Sequence, residues 1–253
     1  MARILAITNQ KGGVGKTTTS INLAASLVMA GRRVLLVDLD PQGSATTGSG
    51  VDKRTVSRSV YHMLIGDALP QAVRVKANAS YDLLPANREL AGAELELIDV
   101  PQRETQLKAA LASIEGEYDF VLLDCPPALN LLTLNGLCAA HAVMIPMQCE
   151  YYALEGLSDL VQTIKKVKVQ LNPRLEIEGL LRTMYDPRNT LAQQVSEQLQ
   201  QHFGDKLYRT IIPRNIRLAE APSHGLPVIA LDRQSKGALA YLALAGEMLS
   251  KPS

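Results

Sequence analysis

The chain has 253 residues, 47% hydrophobic and 20% charged, with a formal net charge of +1 and a mean hydropathy of +0.03. That balance excludes disordered and collagen-like chains and suits one large α/β domain with a substantial core. No apolar run approaches the roughly 18 residues that cross a bilayer, and the first residues lack the basic and apolar regions of a secretory leader, so a cytoplasmic location is expected.

Ile4-Leu5-Ala6-Ile7 is an apolar run of the kind that forms a parallel strand buried on both faces. It leads into Gln10-Lys11-Gly12-Gly13-Val14-Gly15-Lys16-Thr17-Thr18. Residues 19–30 follow with Ile21, Leu23, Ala24, Leu27 and Val28 at helical spacing. Strand, glycine-rich turn and helix are the context of a phosphate-binding loop. Its glycines let backbone N–H groups approach phosphate oxygens, and the helix N-terminus adds its positive dipole end. Lys16 is expected to reach the β- and γ-phosphates of ATP, and the Thr17 hydroxyl to ligate Mg²⁺.

The loop departs from the ordinary pattern. Gln10 stands where the first glycine belongs, and a second lysine, Lys11, heads the loop. The form Lys-Gly-Gly-x-Gly-Lys-Thr resembles the deviant Walker A motif of the partition ATPases. The resemblance implies that Lys11 reaches across a dimer interface to the partner's nucleotide, so that Lys11 and Lys16 both serve catalysis. It also implies that residues 11–18 (Lys11, Gly12, Gly13, Val14, Gly15, Lys16, Thr17, Thr18) line the nucleotide. Some members carry a helix-turn-helix module before this domain. With the loop beginning by residue 10, none is expected here.

Residues 34–38 form the next apolar run and end in Asp38, followed by Leu39-Asp40-Pro41-Gln42-Gly43. Carboxylates at the C-terminal end of a parallel strand stand where open α/β sheets bind ligands. Two positions apart, Asp38 and Asp40 are expected to point the same way. The run resembles the family's second nucleotide motif, which implies Asp40 as the hydrolytic residue and Asp38 in support of the magnesium shell. Residues 42–55 are small and polar and read as a mobile loop, a candidate switch. Beyond them come a short helix at 60–65, a strand at 81–85 and amphipathic helices near 89–98 and 102–114, none with evident chemistry.

Tyr118-Asp119-Phe120-Val121-Leu122-Leu123-Asp124 is an apolar strand ending in a carboxylate, the pattern of a Walker B strand, with Asp124 a candidate for Mg²⁺. Cys125-Pro126-Pro127 then turns into residues 128–135, which resemble the family's second switch. A strand at 142–146, a long helix at 155–169, a strand at 177–185 and a helix at 191–203 follow. Residues 211–215 read as the end of a further strand, and a packing helix is expected near 237–249. The block Ile-Pro-Arg-Asn…Glu-Ala-Pro-Ser-x-Gly-x-Pro resembles one typical of chromosomal partition ATPases. It implies an adenine pocket at Pro213, Arg214 and Asn215, with Met184 beside them. Cys125, Cys138 and Cys149 fit neither a disulfide nor a zinc spacing and read as buried free thiols.

Residues 160–217 hold ten Lys or Arg against five Asp or Glu. By itself this reads as a solvated face. Resemblance to the Soj/ParA family, which covers nearly the whole chain, implies that the ATP-bound homodimer holds double-stranded DNA without sequence preference through basic residues here. Arg188 and Arg217 are the leading candidates. It further implies a centromere-binding partner of the ParB/Spo0J type that stimulates hydrolysis, and a nucleoid-associated location. The expected fold is a mostly parallel twisted sheet with helices on both faces, one nucleotide-binding domain over residues 1–253. Two other kinds of relative share this loop. A membrane-associated division-site ATPase ends in a basic amphipathic helix, which the alanine-rich tail does not resemble. An iron-sulfur electron carrier needs a second cysteine flanked by glycines, which is not found. A metabolic enzyme with the same loop would need a substrate motif, and none stands out.

Overall fold

A computed structural model describes residues 2–251. Seven strands form one sheet: β1 (Arg3–Ile7), β2 (Val34–Asp38), β3 (Val75–Lys76), β4 (Asp82–Leu84), β5 (Phe120–Asp124), β6 (Ala142–Met147) and β7 (Glu176–Arg182). Their order is β3-β4-β2-β5-β1-β6-β7, and every pairing is parallel except that of the two-residue edge strand β3 with β4.

The apolar runs explain this sheet. Successive side chains on a strand face opposite ways, so an unbroken apolar run serves a strand covered on both sides. Ile4 and Ala6 of β1 join one core with Val37, Val121, Leu123 and Ile145. Leu5 and Ile7 join the other with Leu36, Leu122, Met144 and Leu181. Helix Lys16–Met29 covers that second face with Leu23 and Leu27, and helix Lys236–Ser250 adds Tyr241, Leu244 and Met248. The other face is closed by helices that include Leu131–Ala139 and Ala153–Gln170.

Connections run from β1 toward β2 on one side and from β5 to β6 on the other, so β1 stands at a point where the winding reverses. Such points open a crevice at the carboxyl ends of the strands, and the loop after β1 lies in it.

Three expectations from the sequence change. Residues 42–55 contain a helix, Ser44–Gly48, anchored by the buried Ala45 and Thr46, in place of an unbroken mobile loop. Residues 211–215 make no strand: Pro213 forms only an isolated parallel bridge with Tyr185, since proline has no N–H to extend a ladder. The stretch 102–114 is broken into a 3₁₀ turn, Arg103–Thr105, and a short helix, Gln106–Leu111.

Candidate functional site: a phosphate-binding crevice

Gly13 (φ 72°) and Gly15 (φ 87°) adopt the left-handed backbone that favours glycine. Gly15 caps helix Lys16–Met29, so the loop delivers its N–H groups to the positive end of that helix. Among the described residues, no backbone N–H of residues 12–15 donates to a protein acceptor. A Cβ on Gly12 or Gly13 would meet nothing within 4 Å, so the loop is a shallow open cradle of donors suited to an anion. The Thr183 hydroxyl fixes the cradle's back by donating to the Val14 carbonyl (2.7 Å).

Lys16 is buried, at 7% exposure, and its Nζ donates to the Lys11 carbonyl at 3.0 Å. Burial lowers the ammonium's pKa, while Asp124, Cys125 and Asp40 oppose that shift. The Lys11 side chain points elsewhere: its Nζ lies 2.5 Å from Glu150 Oε2, and both side chains are about half exposed.

Asp124 ends β5 in register with Ile7 of β1 and Asp38 of β2. Thr17 Oγ1 donates to its Oδ2 and Ser20 Oγ to its Oδ1, both at 2.8 Å. Asp38 and Asp124 are both fully buried. Burial pushes the pKa of each upward, and the Asp38 charge pushes Asp124 further. Two adjacent carboxylates in a dry site favour a cation beside them. The oxygen donors Thr17 and Asp124 suit a small hard ion such as magnesium.

The Asp38 Oδ2 accepts from the Thr46 N–H (2.8 Å) and hydroxyl (2.7 Å), and its Oδ1 from the Asp40 N–H (3.1 Å). Through these bonds Asp38 anchors the turn that follows it, and its Oδ1, with one accepted bond, keeps a lone pair on the side of Asp40. Asp38 and Asp40 do not share one environment. The strand ends at Asp38, whereas Asp40 sits in a partly exposed turn where its Oδ1 accepts from the Gln42 N–H at 2.9 Å.

A cavity of about 170 Å³ adjoins the loop. Gly15 and Thr18 form one wall, and Met184, Pro213, Arg214 and Asn215 are brought together opposite. Met184 has φ 48°, and the Tyr185–Pro213 bridge draws its segment toward Pro213. Asn215 also caps helix Ile216–Glu220, accepting from the Leu218 N–H (3.3 Å). Arg217 therefore lies on a helix and pairs with Glu220 (2.9 Å) and Asp232 (3.5 Å). Arg188 lies in the turn before helix Thr190–Phe203 and pairs with Asp186 (2.8 Å). Surface pairs of this kind are weak and exchange readily for another anion.

Four contributors to the site escaped the sequence reading: Ser20, Thr46, Thr183 and Tyr241. Ser20 is one of several polar residues, with Thr19, Asn22 and Ser26, on the buried face of its helix, so the sequence does not single it out.

A family model described as an AAA domain matches residues 2–177. The sporulation initiation inhibitor protein Soj of Bacillus subtilis is 53% identical over 98% of this chain and 98% of its own. The chain belongs to the Soj/ParA family of chromosome-partitioning ATPases. The chromosome partitioning protein ParA of Caulobacter vibrioides is 50% identical to this family member, over 98% of this chain and 94% of its own. Among solved structures, the cobyrinic acid a,c-diamide synthase of Mycobacterium smegmatis with bound ADP and magnesium superposes with a TM-score of 0.87. It is 43% identical, covering 98% of this chain and 94% of its own. Cys125, Cys138 and Cys149 are all buried free thiols, and Cys125 lies against Gly136.

Proposed function

We propose that residues 1–253 act as one nucleotide-binding domain, of which 1, 252 and 253 lie outside the described residues, and that this domain binds and hydrolyses ATP with Mg²⁺. The observation that carries the reading is the Thr17–Asp124 contact beneath an open cradle of loop N–H groups. Lys16 and those N–H groups bind the phosphates, and the cavity at Met184, Pro213, Arg214 and Asn215 takes the base. Magnesium held at Thr17 and Asp124 supplies positive charge to the phosphates. Asp40 orients the attacking water from a turn whose shape Asp38 and Thr46 maintain. Lys11 serves the nucleotide of a second copy, so hydrolysis belongs to a homodimer.

The ATP dimer then holds double-stranded DNA without sequence preference, using Arg188 and Arg217 on phosphates. A ParB/Spo0J-type centromere-binding protein accelerates hydrolysis and releases the DNA, and the cycle partitions a chromosome or plasmid in the nucleoid. Supporting this over a membrane-bound relative, helix Lys236–Ser250 spends Tyr241, Leu244 and Met248 on the core. No helix of the described residues is long and apolar enough to cross a membrane. The test is calorimetric ATP binding and hydrolysis with and without DNA. Lys16→Ala should lose ATP binding; unchanged affinity in that variant would refute the phosphate-loop assignment.

A further inference from the structure

The pair between Lys11 and Glu150 has no place in the ATP-binding crevice itself. It joins residues 139 apart in sequence, from the exits of two neighbouring strands, β1 and β6. Their backbones are held to one another. Asn9 Oδ1 accepts from the Lys11 N–H (3.0 Å), and Asn9 Nδ2 donates to the Pro146 carbonyl (2.9 Å). From Pro146 the chain runs four residues to Glu150, where the Glu150 N–H donates to the Gln148 carbonyl (3.0 Å). Gln148 Nε2 in turn lies 2.9 Å from Met184 Sδ, on the wall of the nucleotide cavity. The carboxylate is therefore presented to the ammonium by a fixed frame. The same turn carries Tyr151 and Tyr152, 74% and 69% exposed and packed edge to face at 5.0 Å, an aromatic pair of the type that interfaces cover.

We infer that Glu150 is a positioning residue for Lys11: within one chain it holds the ammonium in cis, and ATP-dependent self-association must open that pair. The inference rests on the reading that Lys11 acts on a partner's nucleotide. One ammonium cannot face a carboxylate of its own chain and a phosphate of another at the same time. Because the pair is half exposed, it is a threshold and not a lock. An exposed ion pair shifts an equilibrium by a factor of about 1.4 to 5. Two pairs open per dimer, so the dissociation constant rises by about 2- to 25-fold over that of a chain with no carboxylate at 150. The triphosphate carries more charge than one carboxylate and outcompetes it once a second copy delivers it.

The test compares wild type, Glu150→Gln, Glu150→Asp and Lys11→Ala by sedimentation velocity in ATPγS and Mg²⁺, with circular dichroism to verify folding. In parallel, the rate of Lys11 acylation by an amine-reactive ester is read by mass spectrometry on the nucleotide-free monomer. Glu150→Gln should tighten self-association by about 2- to 25-fold and speed Lys11 acylation by about 1.4- to 5-fold. Glu150→Asp, which keeps the charge, should lie nearer to wild type in both. If Lys11→Ala weakens the dimer but Glu150→Gln leaves it unchanged or weaker, the inference is overturned while the in-trans role of Lys11 stands. A Lys11→Ala dimer as tight as wild type would overturn both.

Discussion

Thr46 is the most informative residue to perturb, because its hydroxyl serves two buried partners. It donates to Asp38 Oδ2 at 2.7 Å and accepts from the Ala86 N–H at 2.9 Å. Thr46→Val keeps the shape and removes both bonds. A hydrogen bond to a charged group contributes about 1.5–3 kcal/mol, and an orphaned buried N–H costs about 1–3 kcal/mol. Burial raises the Asp38 pKa and so weakens its charge, which puts the sum near its lower end, about 3 kcal/mol. Thr46→Ser keeps the hydroxyl and loses one methyl, about 1 kcal/mol. Urea unfolding of the nucleotide-free protein should therefore separate Val from Ser by about 2 kcal/mol, the difference of those two figures. ATP binding should persist in Thr46→Val while turnover falls, because the turn carrying Asp40 loses its anchor. A Val variant as stable as the Ser variant, with wild-type turnover, would refute the anchoring role.

Ser20→Ala should weaken magnesium-dependent ATP binding by about tenfold, since Ser20 orients Asp124 from behind; titration of magnesium with a fluorescent ATP analogue reads it. Arg188→Ala and Arg217→Ala should each lower affinity for all DNA sequences alike. Each should also flatten the salt slope by about one to two units, one per contact per subunit, in filter-binding titrations. An unchanged slope would leave both arginines as solvated surface. His141 accepts from the Ile4 N–H through Nδ1 (3.1 Å), which only the unprotonated ring can do. Burial holds its pKa below the ordinary 6.5, so below about pH 6.5 the unfolded chain takes up a proton that the folded chain resists. Stability should fall as pH drops through that window, and His141→Gln should lose less between pH 7.5 and 5.5 by thermal melting.

What the sequence disclosed about this site follows the range of each interaction. The phosphate loop was legible because its parts are contiguous: Gly13 and Gly15 need positive φ, and Lys16 and Thr17 follow at once. Apolar runs ending in Asp38 and Asp124 announced two parallel strands, but not that their last residues would be register partners. That pairing, and Thr46 folding back eight residues to cap Asp38, are tertiary facts without a local signal. Small polar residues at 42–55 suggested mobility because composition does not reveal which threonine will be buried. Apolar Ile211 and Ile212 suggested a strand end at 211–215, but Pro213 has no N–H to give: the Ile212 N–H donates to the Arg182 carbonyl, and the ladder stops. The Lys11–Glu150 contact spans most of the chain and had no sequence signature at all.

In the proposed cycle ATP, through dimerisation, switches DNA binding on and hydrolysis switches it off. Its most direct measurement is the binding of a labelled random-sequence duplex by wild type and Asp40→Ala, each with ATP, ADP or no nucleotide. Asp40→Ala with ATP should bind tightly and persistently, wild type with ATP should bind and then release as ADP accumulates, and binding should be weak otherwise. Equal affinity for the duplex in all three nucleotide conditions would contradict the cycle.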